Sequence, residues 1–228
     1  MTASAFGPAA EPIVIDVWSD VVCPFCYLGH AVLEEAVAQF PHGSGVEIRY
    51  HSFQLNPGMK AGQAIRADDY LATQVHLPKE QIEASHAQLA ARGARAGLDY
   101  RFEDVLMVNT LDAHRMIHLA KAHGQETAMV KRLFRAEFTD TLNLADHTVL
   151  ADLAAELGLD RAEAITVLET GAYEKDIRAD IADARQLGIS GVPFFVFDNR
   201  RAVSGAQPIE TFRKALDLIW QDRAAQPA

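Results

Sequence analysis

The chain has 228 residues, of which 49% are hydrophobic and 23% are charged, and its formal net charge is −10. These values exclude an intrinsically disordered chain and suit one large domain, or one domain with an insertion. The negative charge disfavours nucleic acid and anionic membranes as partners, and no apolar stretch reaches the roughly 18 residues of a transmembrane helix.

The N-terminal segment up to Pro12 has neither a basic start nor an apolar core, so no secretory signal is expected. The predicted location is therefore the cytoplasm, where structural disulfides are rare. The only cysteines are Cys23 and Cys26, and a bond between them would close a loop of just Pro24 and Phe25. Such a loop cannot connect distant parts of a fold, so the pair indicates chemistry rather than a structural disulfide.

The first part of the chain is predicted to form a β–α–β unit. The β-branched segment Ile13–Trp18 is typical of a buried strand, and apolar residues recur at helical spacing over Tyr27–Phe40. The alternating segment Val46–Tyr50 predicts the second strand. Cys23 and Cys26 thus lie where the first strand leads into the helix.

The middle of the chain, residues 61–187, is predicted to be an all-helical insertion. Helix-capping residues divide this region, and no convincing strand pattern occurs in it. Its length exceeds what one connection in a small sheet requires. The last part returns to strands at Val192–Phe197 and Arg201–Ser204, after which Pro208 begins a helix.

The spacing of Cys23 and Cys26 is the most specific chemical signal. Two intervening residues at a helix start bring the sulfurs within bonding distance, and the helix N-terminus favours the thiolate of Cys23. Cys26, one turn further, is placed to attack a mixed disulfide. The alternative is half of a zinc site, but there is no second cysteine pair, and the nearby His30 would need a distant histidine. Redox chemistry is therefore favoured.

The second signal is Gly191-Val192-Pro193 at a strand start. A proline there is often only an edge residue, because it cannot donate to the ladder. Its functional interpretation is a cis peptide that turns the N–H and C=O of Val192 towards an incoming extended chain. The cysteine pair after an earlier strand favours the functional interpretation.

These motifs resemble the thioredoxin fold, an α/β fold, and the helical insertion resembles its DsbA-like branch. The stretches that resemble FrnE-type oxidoreductases of that branch are Ser19–Gly29, Phe53–Pro57, Asn109–Arg115, Gly191–Pro193 and Val203–Pro208. The resemblance covers nearly the whole chain after residue 12. It implies a thioredoxin part at 13–60 and 188–222, with the insertion at 61–187.

The resemblance implies a thiol–disulfide oxidoreductase in which Cys23 attacks and Cys26 resolves. Pro193 is expected to shape the substrate groove, to which Val192, Pro24 and Phe25 also contribute. No bound cofactor or metal is implied, and glutathione is a candidate co-substrate. The expected partner is a disulfide-containing protein or a small-molecule thiol, and the oligomeric state stays open.

Two features distinguish this chain within the resemblance. It lacks the additional C-terminal cysteine pair of some FrnE-type members, so no relay to a second dithiol is expected. Pro24-Phe25 also replaces the Pro-His of strongly oxidising DsbA, which predicts a less stabilised thiolate and a less oxidising disulfide.

Two further functions are alternatives to dithiol chemistry. Glutathione-dependent kappa transferases and 2-hydroxychromene-2-carboxylate isomerases share the superfamily, but they usually lack paired cysteines. A glutathione-dependent isomerase or transferase is the main alternative function. A module that only docks peptides at Pro193 is a third, and neither explains the presence of Cys26.

Four residues are candidates for supporting roles. Asp20 either helps to move a proton to the thiols or caps the following helix, and the two interpretations are balanced. Asn109 and His114 face the cysteines by resemblance, whereas metal binding by His114 and a second histidine one turn on is disfavoured. Ser204 precedes a helix start that either holds a carboxylate through backbone amides or, the favoured interpretation, is a simple turn.

Overall fold

The computed structural model describes residues 11–225. The expectation that the N-terminal segment contains no secretory signal concerns residues that lie almost entirely outside this range. The first unit consists of strand β1 (Ile13–Ser19), helix α1 (Pro24–Gln39) and strand β2 (Val46–Ser52). The predicted β–α–β order is thus observed. The helix begins at Pro24, directly after Cys23, as expected for a cysteine pair at a helix start, and proline suits this first position because its missing N–H would have no acceptor within the helix.

The insertion contains seven helices and two short strands among the described residues. In chain order they are β3 (Ala64–Arg66), α2 (Ala67–Thr73), α3 (Lys79–Arg95), β4 (Leu106–Val108), α4 (Leu111–Ala122), α5 (Glu126–Phe138), α6 (His147–Glu156), α7 (Arg161–Thr170) and α8 (Glu174–Gln186). The prediction of an entirely helical insertion is wrong in one respect. β3 and β4 pair antiparallel, and three-residue strands are too short to give a periodic signal.

The chain then forms β5 (Phe194–Phe197), β6 (Arg201–Ser204) and α9 (Ile209–Ala224). The predicted strand from Val192 begins two residues later. Asp198 and Asn199 both have positive φ angles of about 50°, as the tight turn between the two strands requires.

The central sheet has the strand order β2–β1–β5–β6. β1 is parallel to β2 and antiparallel to β5, so it is a central strand, and its apolar residues are buried except for the half-buried Val14. α1 packs against α9, while α5 and α8 pack against β2. Within residues 11–225, no helix is both long and apolar enough to cross a bilayer.

A half-buried ionic cluster joins the insertion to this sheet. His51 of β2 directs Nε2 at Asp16 of β1 (2.7 Å) and Nδ1 at Asp180 of α8 (3.1 Å). Trp18 stacks on the His51 ring at a centroid distance of 4.5 Å. Burial disfavours the charged ring, but the hydrogen bonds to both carboxylates outweigh burial and raise the pKa of His51 to about 9.

We expect this cluster to make stability depend on pH. The pKa of His51 is higher in the folded state (about 9) than in the unfolded chain (6.5), so its contribution is complete below pH 6.5 and is lost as the pH rises through 9. Denaturant unfolding of His51→Asn should give a free energy of unfolding lower by about 2–3 kcal/mol at pH 7, with the difference shrinking towards pH 9.5.

His123→Asn is the control, because His123 is an exposed histidine paired with Glu163. It should change the free energy of unfolding by less than about 0.5 kcal/mol. An equal pH slope in wild type and His51→Asn would contradict the assignment of a charged, half-buried His51.

Candidate active site

A tight turn after β1 carries Cys23 to the N-terminus of α1. The amide of Cys23 donates a hydrogen bond of 3.1 Å to the carbonyl oxygen of Asp20, and Pro24 begins the helix immediately afterwards. The Cys23 sulfur lies 3.6 Å from the carbonyl oxygen of Val192, and the residue is 4% exposed. Cys23 is thus held at a helix N-terminus and against the segment that precedes β5.

Cys26 lies in the first turn of α1 and is 1% exposed. Neither cysteine is in a disulfide, so both thiols are free. Burial raises the pKa of Cys26 well above its usual value, and so does the hydrogen bond that its thiol donates to the Cys23 sulfur. The backbone of Asp20 and the hydroxyl of Ser19 act in the opposite direction. Cys26 therefore keeps its proton at neutral pH while the dithiol is reduced.

The segment before β5 packs directly against α1 because Gly29 faces it. A Cβ atom at Gly29 would lie 3.0 Å from Pro193 Cγ and 3.0 Å from Phe195 Cζ. Glycine therefore allows the helix to approach Pro193, which is buried, while Val192 is half-buried. The peptide bond between Val192 and Pro193 is cis.

The two residues between the cysteines have different surroundings. The carbonyl oxygen of Pro24 accepts a hydrogen bond of 2.6 Å from the hydroxyl of Tyr100, which lies in the insertion between α3 and β4. Phe25, by contrast, is 42% exposed, so its ring is accessible from solvent. The sequence contains no signal that relates Tyr100 to the cysteines, so this contact was not predicted.

Asp20 is buried and connects the turn before Cys23 to the loop after β2. Its Oδ2 accepts a hydrogen bond of 2.7 Å from the amide of Leu55, and its Oδ1 lies 3.4 Å from His114 Nε2. No side chain caps α1, so the capping interpretation of Asp20 is wrong. His114 Nε2 also lies 3.0 Å from the carbonyl oxygen of Phe53. Asp20 and His114 are therefore brought together beside the dithiol.

Asn109 organises the loop after β2 and does not contact the cysteines in the described hydrogen-bond network. Its amide nitrogen donates to the carbonyl oxygen of Met59 at 2.5 Å, and its oxygen accepts from Gln54 (3.2 Å) and from the amide of Leu111 (3.0 Å). Its role in the structure is to hold this loop against the start of α4.

Ser204 is exposed at the end of β6. The next amide, that of Gly205, donates a hydrogen bond of 2.8 Å to the carbonyl oxygen of Pro193. Because that N–H is already used, the pair forms a strand-to-helix turn, as favoured from the sequence.

His30, which a zinc site at the cysteines would require, is buried and contacts the hydroxyl of Tyr50 through Nδ1. Burial lowers the pKa of His30 to about 4, so the ring is neutral at physiological pH. Across residues 11–225, no group of three or more His, Cys, Asp or Glu side chains is arranged to hold a metal ion.

Comparison with known proteins identifies the family. A family model described as a DsbA-like thioredoxin domain matches residues 14–217. The chain belongs to the DsbA-like thioredoxin-domain family. The resemblance seen in the sequence and the predicted thioredoxin fold with a helical insertion are thereby confirmed.

Three relatives of this DsbA-like chain are informative. A crystal structure described as a probable DsbA oxidoreductase, SCO1869 from Streptomyces coelicolor, is 39% identical with a TM-score of 0.90, covering 95% of this chain and 92% of that one. The uncharacterised protein YwbO of Bacillus subtilis (strain 168) is 30% identical over 89% of this chain and 94% of its own length. The cytosolic disulfide reductase DsbM of Pseudomonas aeruginosa, in a structure with GSH, shares the fold at 23% identity, with a TM-score of 0.62 over 91% of this chain and 99% of that one.

The structure of this DsbA-like protein also contains a buried acid that was not predicted. Glu137 of α5 is 1% exposed, and neither of its carboxyl oxygens has a hydrogen-bond partner among the described residues. Burial raises the pKa of Glu137 well above its usual value, and the charge of Asp20 raises it further. The available signal was its place among buried apolar residues of α5, since Val130, Leu133 and Phe134 precede it at helical spacing.

We expect Glu137→Gln to stabilise the protein at neutral pH. A carboxyl group whose pKa is raised by folding favours the folded state below its unfolded pKa, and this contribution is lost as the pH rises towards the raised value. The neutral amide removes this penalty, so denaturant unfolding at pH 7.5 should give a free energy higher by at least about 1 kcal/mol.

At pH 4, where the carboxyl is protonated in the folded state, the difference between wild type and Glu137→Gln should nearly vanish. Glu169→Gln serves as the matched control, because Glu169 is exposed on α7. If Glu137→Gln instead destabilised the protein, and did so more at pH 7.5 than at pH 4, Glu137 would be a charged group with stabilising partners.

Proposed function

We propose that the protein is a thiol–disulfide oxidoreductase that works through Cys23 and Cys26. The observation that carries the proposal is the pair of free thiols at the start of α1, with the Cys23 sulfur next to the carbonyl oxygen of Val192. The proposal is also supported by the 39% identity to a chain described as a probable DsbA oxidoreductase.

The reaction proceeds in two exchange steps. The Cys23 thiolate attacks one sulfur of the substrate disulfide, which forms a mixed disulfide and releases one substrate thiolate. Cys26 then loses its proton and attacks the Cys23 sulfur, which releases the second substrate thiolate and leaves a Cys23–Cys26 disulfide. The substrate gains two electrons that the dithiol loses. A small thiol such as glutathione, or a reductase, restores the dithiol.

The surroundings of the two sulfurs support different roles. The N-terminus of α1 and the hydrogen bond from the Cys26 thiol both stabilise negative charge on the Cys23 sulfur. Cys26 is buried more deeply and retains its proton. It is therefore protected from external reagents and remains available to attack the mixed disulfide. We propose that the proton of the Cys26 thiol leaves by way of Asp20. The backbone of Asp20 lies beside the Cys26 sulfur, and its carboxylate lies near His114.

The substrate contacts are proposed for the residues around Cys23. Phe25 offers an exposed apolar side chain, and the Val192–Pro193 segment lies beside the attacking sulfur. An extended substrate can pair its backbone with such a segment while its disulfide reaches Cys23. Pro24 fixes the helix start, so that the sulfur stays aligned with this surface.

We propose that the protein acts in the cytoplasm, as an FrnE-type enzyme with glutathione as co-substrate. The replacement of the Pro-His dipeptide by Pro24-Phe25 suits a reducing compartment, because a less stabilised thiolate corresponds to a less oxidising disulfide. DsbM, which has the same fold, is described as a cytosolic disulfide reductase and was crystallised with GSH.

The test compares single cysteine variants in a redox titration against glutathione, with free thiols counted by mass spectrometry. Wild type should pass reversibly between two thiols and none, with a defined midpoint and little stable glutathione adduct. Cys23→Ser should reduce disulfide exchange to the uncatalysed background. Cys26→Ser should form a stable mixed disulfide, because nothing remains to resolve it. Since the chain has only two cysteines, each variant carries one identifiable thiol.

The glutathione-dependent isomerase or transferase predicts different results. It requires saturable glutathione binding and an activity that survives Cys26→Ser. Full disulfide exchange by Cys23→Ser would exclude the proposed mechanism, and a stable single adduct on wild type would favour this alternative.

A further inference from the structure

A groove with a volume of about 520 Å³ lies between the loop after β2 and helix α8. Phe53 and Gln54 line it from the loop, and Ile177 and Ile181 line it from the helix. Its volume falls in the range of about 300–1,000 Å³ that is typical of small-molecule sites. The exchange steps proposed above do not involve the residues that line this groove.

A small apolar cluster lies between the groove and the Val192 segment beside Cys23. Ile189, which lines the groove, belongs to a small buried cluster with Trp18, and both Phe53 and Val192 pack against that cluster. Val192 in turn contacts the Cys23 sulfur through its carbonyl oxygen. Val192 therefore lies between the Cys23 sulfur and this cluster, and a group attached to a disulfide at Cys23 would have to extend past Val192 to reach the groove.

Helix α8 turns a distinct set of residues towards the groove. The lining residues of this helix are Glu174, Ile177, Arg178, Ile181 and Arg185, which share one helical face. Asp180, by contrast, faces the sheet and binds His51. The groove thus has an apolar floor and an edge that carries two guanidinium groups.

The edge is cationic although the whole chain carries a net charge of −10. Glu174 is the one acid among the lining residues of α8. Its carboxylate pairs with the guanidinium groups of both Arg178 and Arg115, so two positive charges compensate its negative charge. Arg185 is exposed at the other end of the same face. Guanidinium groups bind carboxylates with paired hydrogen bonds, and an apolar floor accepts an aromatic or aliphatic group.

We propose that this groove binds the carboxylate-bearing, apolar group attached to one sulfur of the substrate, so that the enzyme prefers small anionic disulfides. This proposal rests on the proposed function, because the group enters the groove while its disulfide is exchanged at Cys23. The charge of Arg185 attracts the carboxylate, and the isoleucines of α8 contact the remainder of the group.

The test uses two aromatic disulfides in single-turnover reactions with the reduced protein. One probe, 5,5′-dithiobis(2-nitrobenzoate), carries a carboxylate on each ring, whereas 4,4′-dithiodipyridine is uncharged at pH 7.5. Each probe takes up two electrons while Cys23 and Cys26 are oxidised to a disulfide. The first probe releases two thionitrobenzoate thiolates and the second two neutral 4-thiopyridone molecules, and each product is followed by its absorbance.

We expect Arg185→Gln to lower the second-order rate constant for the anionic probe about 3- to 10-fold, as for the loss of one partly exposed charge contact. The rate constant for the uncharged probe should stay within about twofold. Arg178→Gln should act in the same direction and more strongly, because it also removes one of the two cations that compensate the charge of Glu174. Arg213→Gln is the matched control, since Arg213 is exposed on α9 and does not line the groove.

The outcomes separate the two proposals. If wild type reacts with both probes and Arg185→Gln behaves like Arg213→Gln, the groove proposal is overturned and the dithiol mechanism stands. An equal loss with both probes overturns it as well, because Arg185 would then act on the thiols rather than on the ligand. If reduced wild type exchanges with neither probe, the dithiol mechanism fails and the groove proposal fails with it.

Discussion

The antiparallel pairing of β1 with β5 is the constraint on which the candidate site depends. The register pairs Trp18 near the end of β1 with Phe194 at the start of β5. As a result, the residues that follow β1 and those that precede β5 meet at one edge of the sheet. Cys23 and Val192, which are 169 positions apart in the sequence, are brought into contact in this way. The insertion can be long because it leaves and re-enters the sheet without disturbing this pairing.

The same edge of the sheet concentrates buried polar groups at some cost in stability. Asp20 Oδ1, His114 Nδ1 and both oxygens of Glu137 are buried without hydrogen-bond partners in the described part of the chain. Unpartnered polar atoms cost free energy when they are removed from water. The ionic cluster around His51 offsets part of this cost, because each of its ring nitrogens faces a carboxylate. A protein that only had to fold would gain stability by replacing Glu137 with an apolar residue, whereas a dithiol that exchanges protons benefits from ionisable neighbours.

Local rules explain which parts of the structure could be predicted from the sequence. Asp146 and Asp160 cap their helices through hydrogen bonds of 2.8 Å to backbone amides two residues on, and such caps depend only on neighbouring residues. The cysteine pair at a helix start is local in the same sense. By contrast, β3 and β4 form only because the intervening chain folds back, and the hydrogen bond from Tyr100 to Pro24 spans 76 positions. Contacts of this kind arise from tertiary packing and leave no periodic signal. The burial of Glu137 could be predicted only in part. The apolar pattern of α5 predicts that residue 137 lies on the buried face, but it does not predict that the carboxyl group lacks a hydrogen-bond partner.

Helix α8 connects the stability of the fold to the geometry of the site. On one face, Asp180 accepts hydrogen bonds from His51 and from the amide of Ser52 (2.9 Å), and its carbonyl oxygen accepts from the indole of Trp18 (3.2 Å). These bonds fix the helix against the ends of β1 and β2, directly beside the turn that carries Cys23. The other face of α8 does not pack against the sheet and lines the groove instead. Because a helix is rigid over this length, anchoring Asp180 also fixes the backbone of Arg178 and Arg185 relative to the turn that carries Cys23. A ligand bound as proposed above therefore meets arginine side chains on a backbone that does not have to be ordered on binding, although the side chains themselves are exposed.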